Sequence, residues 1–85
     1  MIELEYTVKD PNGLHARPAG LLAKAVSSFA SEVTVYHRDR SANAKKLIAL
    51  LTLSVKCGDR LRITVSGEDE MRAAEEIKSY LQSHL

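Results

Sequence analysis

Eighty-five residues leave room for one small domain over residues 1–85. A chain of that size buries only about 60–65% of its unfolded surface, which excludes a deep cleft holding substrate and cofactor together. With 45% apolar residues, 27% charged residues and a net charge of +1, the composition excludes a disordered chain and a dedicated, strongly basic nucleic-acid binder.

The first expected element is a strand. Ile2, Leu4, Tyr6 and Val8 alternate with Glu3, Glu5, Thr7 and Lys9, the period of a half-buried strand. The acidic start is unlike the basic start of a signal peptide. Asp10-Pro11-Asn12-Gly13 ends this strand in a turn. A helix is expected from Pro18 to about Ala30, with Leu21, Leu22, Ala25, Val26 and Phe29 as its apolar stripe. Val33 and Val35 mark a second strand. His37-Arg38-Asp39-Arg40 reads as a polar turn, and Ser41-Ala42 as a short third strand. Asn43 is placed to cap a short helix from about Ala44 to Leu53. Lys56-Cys57-Gly58-Asp59 is a turn, and Leu61, Ile63 and Val65 alternate in a fourth strand. Ser66-Gly67-Glu68-Asp69 opens a last helix on which Met71, Ala74, Ile77 and Leu81 keep the helical period, with Lys78 as a polar exception.

The order β-α-β-β-α-β-α is expected to fold as an α+β open-faced sandwich. A four-stranded antiparallel sheet carries all three helices on one face, and the fourth strand slots between the first and second. No apolar run approaches the about 20 residues of a membrane span. Cys57 is the only cysteine, so no internal disulfide forms, and the expected compartment is the cytoplasm. The small size favours a carrier, binder or regulator over a self-contained enzyme.

Chemistry concentrates in Asn12-Gly13-Leu14-His15-Ala16-Arg17-Pro18-Ala19-Gly20. Pro18 suits the first turn of a helix, where its missing amide hydrogen costs nothing. It is also expected to push Arg17 away from helical angles. The chain therefore turns from loop to helix just after His15. The first amides of a helix have no internal partners and, with the helix dipole, attract anions. Arg17 adds a planar cationic fork suited to phosphate oxygens. A neutral imidazole is a good nucleophile near pH 7, and its phosphoramidate gives the group up again. A lone loop histidine is most often merely solvated, so these residues by themselves indicate an anion or phosphate site better than a carrier.

The run Gly13-Leu14-His15-Ala16-Arg17-Pro18-Ala19 resembles the active-site motif of the HPr family, the histidine-containing phosphocarriers of the sugar phosphotransferase system. The resemblance extends through Asn43-Ala44-Lys45, Leu47, Thr52-Leu53, the Gly58 turn and Ile63 to Glu70. It implies the open-faced sandwich. It also implies that His15 takes a phosphoryl group on Nδ1 from the phosphoenolpyruvate-dependent enzyme I. His15 then passes it to the IIA domains of sugar transporters, with the amides around Ala16 and Arg17 and the Arg17 side chain nearby. Partner docking would fall on Gly20, Lys24, Leu47, Ile48 and Leu51. The resemblance implies no cofactor, no metal, no nucleic-acid partner and no membrane insertion, and a monomer is expected. Spacing adds that one face of the nearly all-apolar stretch from Leu47 to Leu53 must pack on the sheet, leaving a surplus for an interaction patch.

The chain departs from the family in places. Lys46 stands where many relatives carry a regulatory serine, so no serine switch is expected there. Ser54-Val55 stands where relatives commonly place a glycine. Basic residues are sparse on the first helix, and Lys45 and Lys46 are expected to compensate in part for docking. The remaining residues read blandly. His37 lies in a charged turn and His84 at a frayed end, with no metal-site spacing. Cys57 is a turn residue, Glu68-Asp69-Glu70 is helix-start electrostatics, and Glu75-Glu76 is a solvated face. Two alternatives to the carrier remain. One is an HPr-like regulator signalling through His15. The other is a ligand- or RNA-binding module of similar topology, which the few aromatics Tyr6, Tyr36 and Phe29 disfavour.

Overall fold

The computed structural model describes all 85 residues. Seven elements follow in the expected order: β1 (Ile2–Thr7), α1 (Ala16–Ser27), β2 (Glu32–His37), β3 (Arg40–Asn43), α2 (Leu47–Leu51), β4 (Arg60–Ser66) and α3 (Glu70–His84). The sheet order is β1-β4-β2-β3, with every pairing antiparallel. β4 thus sits between β1 and β2, and the helices cover one face in an α+β open-faced sandwich. Register stacks the core: Leu4 and Val35 flank Ile63, and Ala42 lies opposite Val35. Glu3, Glu5, Glu32, Arg60 and Arg62 point to the opposite, solvated face, as a period of two requires. No helix is long and apolar enough to cross a membrane.

The helix boundaries depart from the sequence reading. α1 begins at Ala16, two residues before Pro18, so Arg17 is helical after all. Pro18 is tolerated because its ring meets no helical carbonyl four residues back. The helix stops at Ser27, where the Ser27 and Ser28 hydroxyls donate to the Lys24 and Ala25 carbonyls at 2.7 and 2.9 Å and compete with the backbone ladder. The buried stripe is Ala19, Leu22, Ala23 and Val26, which leaves Leu21 exposed. The elements α1 approaches most closely are α2 and α3. In α3, Ala73 takes the inward place expected of Met71, which is exposed beside the β1 edge.

α2 starts at Leu47 rather than Ala44. The Ala44 amide is already spent on the Val33 carbonyl of β2 at 2.9 Å. Asn43 therefore does not cap the helix; its side-chain oxygen accepts the Lys45 amide at 2.9 Å in a local turn. Lys45 is spent too, its ammonium donating to the Phe29 carbonyl at 2.8 Å, so it is not free for docking. Past Leu51 the chain tightens into shorter turns and ends at Ser54, whose φ of 54° lies in the left-handed region.

That angle costs a non-glycine residue about 1–2 kcal/mol. A glycine would regain it, less about 0.4–1 kcal/mol of unfolded-state entropy. Ser54→Gly is therefore expected to stabilise by about 0.5–1 kcal/mol, raising the melting temperature by about 2–8 °C. A calorimetric scan that finds no rise would show that Ser54 carries no strain.

The start of α3 is more than helix electrostatics. The Asp69 carboxylate accepts the Ala30 and Ser31 amides at 2.9 Å each and the Ser31 hydroxyl, stapling α3 to the start of β2. These bonds, the Ser31 hydroxyl foremost, hold its carboxyl below the usual aspartate range. Glu70 is likewise lowered, chiefly by the Met1 amino group 2.8 Å away and also by the Gly67 amide.

Candidate functional site

The loop from β1 to α1 is built to present one histidine. The Asp10 carboxylate accepts the Asn12 amide at 2.8 Å, and the Asp10 carbonyl accepts the Gly13 amide at 2.9 Å. Gly13, at φ 66°, turns the chain hard against the segment before β4. Leu14 is buried, and its amide donates to the Val55 carbonyl at 3.1 Å. With Leu14 anchored before it and its own carbonyl accepting the Ala19 amide at 3.0 Å, His15 takes the N-cap position of α1, its backbone extended.

The His15 ring is half-exposed, with Nε2 3.6 Å from an Asp10 carboxylate oxygen. Nδ1 makes no hydrogen bond, and neither do the Ala16 and Arg17 amides that open the helix. Arg17 is exposed and has no ion-pair partner. Asp10, His15, Arg17, Pro18, Leu21, Ser83 and His84 line one open cavity of about 280 Å³. The arrangement holds an unpaired imidazole nitrogen, free amides and a guanidinium around a space open to solvent. It can receive a small anion or a phosphoryl group on the imidazole.

His84 belongs to this cavity, against its sequence reading as a frayed end. α3 runs through it. Its ring stacks on Tyr80 at 4.6 Å, and the Tyr80 hydroxyl donates to the Pro18 carbonyl at 2.6 Å. Burial pushes the Tyr80 hydroxyl above its ordinary pKa, so it stays a donor. The i, i+4 spacing of Tyr80 and His84 was visible in the sequence; the loop they meet was not.

His37 stands apart from the site and is no turn residue. It is the last residue of β2, only 5% exposed, and continues the inward series Val33-Val35-His37. Its Nδ1 lies 2.9 Å from the Leu53 carbonyl and its Nε2 2.8 Å from the Asp59 carboxylate. Both neighbours are acceptors, so both bonds form only with a proton on each ring nitrogen. Asp59 is held below the usual aspartate range by the Lys56 amide, then by His37, with Arg38 nearby.

The residues expected at a docking patch resolve into faces. Leu50 points inward at 0% exposure, Ile48 points outward at 72%, and Leu47 and Leu51 lie on the flanks. Gly20 meets α2 at Leu47, the nearest atom to where a Cβ at Gly20 would stand, 4.0 Å away. Lys24 is exposed one turn further along α1, and Lys46 is exposed immediately before α2.

Known proteins share this architecture and sequence. A family model described as the PTS HPr component phosphorylation site matches residues 2–83. The phosphocarrier protein HPr of Borreliella burgdorferi is 37% identical over 83 residues, covering 98% of this chain and 96% of that protein. That of Haemophilus influenzae is 46% identical over 66 residues, 78% of each chain. The solved structure of a mycoplasma histidine-containing phosphocarrier protein superposes with a TM-score of 0.94 at 30% identity, over 96% of this chain and 93% of that one. With the same fold, and a family match that spans the His15 loop and both flanking elements, the chain belongs to the HPr family, the phosphocarriers of the sugar phosphotransferase system.

Proposed function

We propose that His15 is the residue that carries the phosphoryl group, taking it from enzyme I and giving it to the IIA domains of sugar transporters. The carrying observation is the unbonded Nδ1 of His15 beside the undonated amides of Ala16 and Arg17. In the accepting step the Nδ1 lone pair forms a bond to phosphorus. The bond from phosphorus to the donor breaks, and its electron pair leaves with the donor. The Ala16 and Arg17 amides and the Arg17 guanidinium support the phosphoryl oxygens. The reverse step, with an acceptor in place of the donor, empties the site. An open cavity fits this role, because a carrier that gripped the group tightly would stall its transfer. The partners supply the remaining catalytic groups.

In this reading residues 1–85 form one domain, since a single apolar core joins the sheet to every helix. The chain acts as a monomer in this reading. The exposed free thiol of Cys57 suits a reducing compartment, the cytoplasm. Gly20, Lys24, Leu47, Ile48 and Leu51 form the docking face. Lys46, at the entry to α2, takes no phosphate from a serine kinase, so His15 is the only phosphorylation switch on this surface.

Incubation with phosphoenolpyruvate and enzyme I should add one acid-labile, alkali-stable phosphoryl group, and His15→Ala should take up none. Equal labelling of the variant would refute the assignment. Ile48→Asp should leave folding intact, because the side chain is in solvent, yet slow transfer from enzyme I at limiting concentration about tenfold or more by placing a charge in an apolar contact. An unchanged rate would remove Ile48 from the docking face.

A further inference from the structure

We propose that His84 is a second cationic group of the phosphoryl cavity, one that pairs with the phosphoryl oxygens on His15 when its ring is protonated. The inference rests on His15 as the carrier.

The position of His84 is held from two sides. Its ring lies against Tyr80 at 4.6 Å, and Tyr80 is fixed to the first turn of α1 through the Pro18 carbonyl. The next residue, Leu85, is buried, and its main-chain oxygen accepts the Lys9 and Asp10 amides at 2.6 and 2.8 Å. The end of α3 is thereby tied to the same loop that presents His15. The His84 side chain makes no hydrogen bond or ion pair, and its ring borders the cavity where an anion would sit.

The charged and titratable groups around that cavity are few. Asp10 comes from the loop, His15 and Arg17 from the start of α1, and Tyr80 from the same helix as His84. Asp10 faces His15 Nε2 at 3.6 Å. Arg17 is a permanent charge. His84 is the one imidazole in the cavity wall apart from His15 itself. A phosphoryl group arriving on His15 adds negative charge to the space that His84 borders. It therefore favours the protonated His84 ring, and protonation of His84 favours the phosphorylated state by the same factor. The level of charging of the carrier becomes sensitive to pH through a residue outside the loop motif.

The test is a ring titration of His84 by NMR in the unphosphorylated protein and in protein charged on His15 with phosphoenolpyruvate and enzyme I. The midpoint of His84 should rise by about 0.5 pH unit or more on charging. Reciprocally, the equilibrium charging ratio should change about threefold more between pH 5.5 and 8 in the parent than in His84→Gln. A His84 midpoint that does not move, or identical pH profiles for the two proteins, overturns the inference while leaving the carrier reading intact. A protein that takes no phosphoryl group on His15 overturns the carrier reading and this inference together.

Discussion

Gly13→Ala is expected to cost the fold about 2–4 kcal/mol and to displace His15. A Cβ at residue 13 would stand 2.3 Å from the Val55 carbonyl oxygen and 2.7 Å from the Lys56 Cα. Both obstacles are backbone, so neither can swing aside like the end of a long side chain. Relieving such overpacking costs about 1–3 kcal/mol. The φ of 66° adds about 1–2 kcal/mol for any residue with a Cβ. The backbone can yield only by moving the loop away from Val55. That movement breaks the bond from the Leu14 amide to the Val55 carbonyl, which anchors the residue before His15. Urea unfolding should show the loss as a lower midpoint. Residual folded protein should accept phosphoryl groups more slowly, with changed chemical shifts at His15, Ala16 and Arg17. Stability within about 0.5 kcal/mol of the parent would show that the loop has slack, and that Gly13 does not set the height of His15.

His37→Ala is the second large effect, also about 2–4 kcal/mol. The ring is buried, with its two nitrogens at 2.9 and 2.8 Å from two acceptors, the Leu53 carbonyl and the Asp59 carboxylate. A hydrogen bond to a charged group contributes about 1.5–3 kcal/mol and a neutral one about 1 kcal/mol, and the vacated volume adds to the loss. The consequence reaches the docking helix. His37 and Arg40 together satisfy the last carbonyls past α2, Leu53 and Thr52, where the Arg40 cation also meets the negative end of the helix. Without His37 the segment from Thr52 to Ser54 should exchange its amide hydrogens faster. The loss should also depend on pH. Because the Asp59 pKa is lowered by folding, its contribution is complete above the unfolded value of 3.8 and disappears as pH falls through the folded value. The stability gap between parent and variant should therefore narrow below pH 3.8. A gap that stays constant into acid would show that the pair with Asp59 contributes nothing.

The wild-type acid limb follows the same sign. Asp59, Asp69 and Glu70 all have lowered pKa values in the folded chain. Each binds fewer protons folded than unfolded, so stability falls as the solution is acidified through their folded values. Asp69 couples residues 38 and 39 positions away in sequence, which makes it a tertiary fastener and not only a helix-start charge.

How far the sequence could be read depended on the range of each cause. Alternation is a property of neighbouring residues, so Ile2 to Val8 and Leu61 to Val65 announced their strands. The antiparallel order followed from short connections and one-sided strands. The His15-Ala16-Arg17-Pro18 junction was equally local, because proline and an N-cap act within one turn. The family likeness rests on the same short-range letters and was confirmed over residues 2–83. The errors fall where a local preference met a distant partner. Asn43 had the chemistry of a cap, but the Ala44 amide belonged to Val33. Leu21 fitted the apolar stripe of α1, but the face that packs inward against the other helices carries Ala19, Leu22, Ala23 and Val26 and leaves Leu21 outside.

The sequence by itself determined the elements, their order and the histidine at the mouth of α1, because periodicity, turn chemistry and the proline constraint act over a few residues. Only the tertiary structure decided that His37 is buried between Leu53 and Asp59, 16 and 22 residues away. It alone set Ile48 outward and Leu50 inward on a helix that is apolar all round. It alone brought His84 to His15, through a Tyr80 hydroxyl bonded to a carbonyl 62 residues earlier. Each of these depends on which surfaces the folded sheet and helices bring together, and no window of local sequence carries that information.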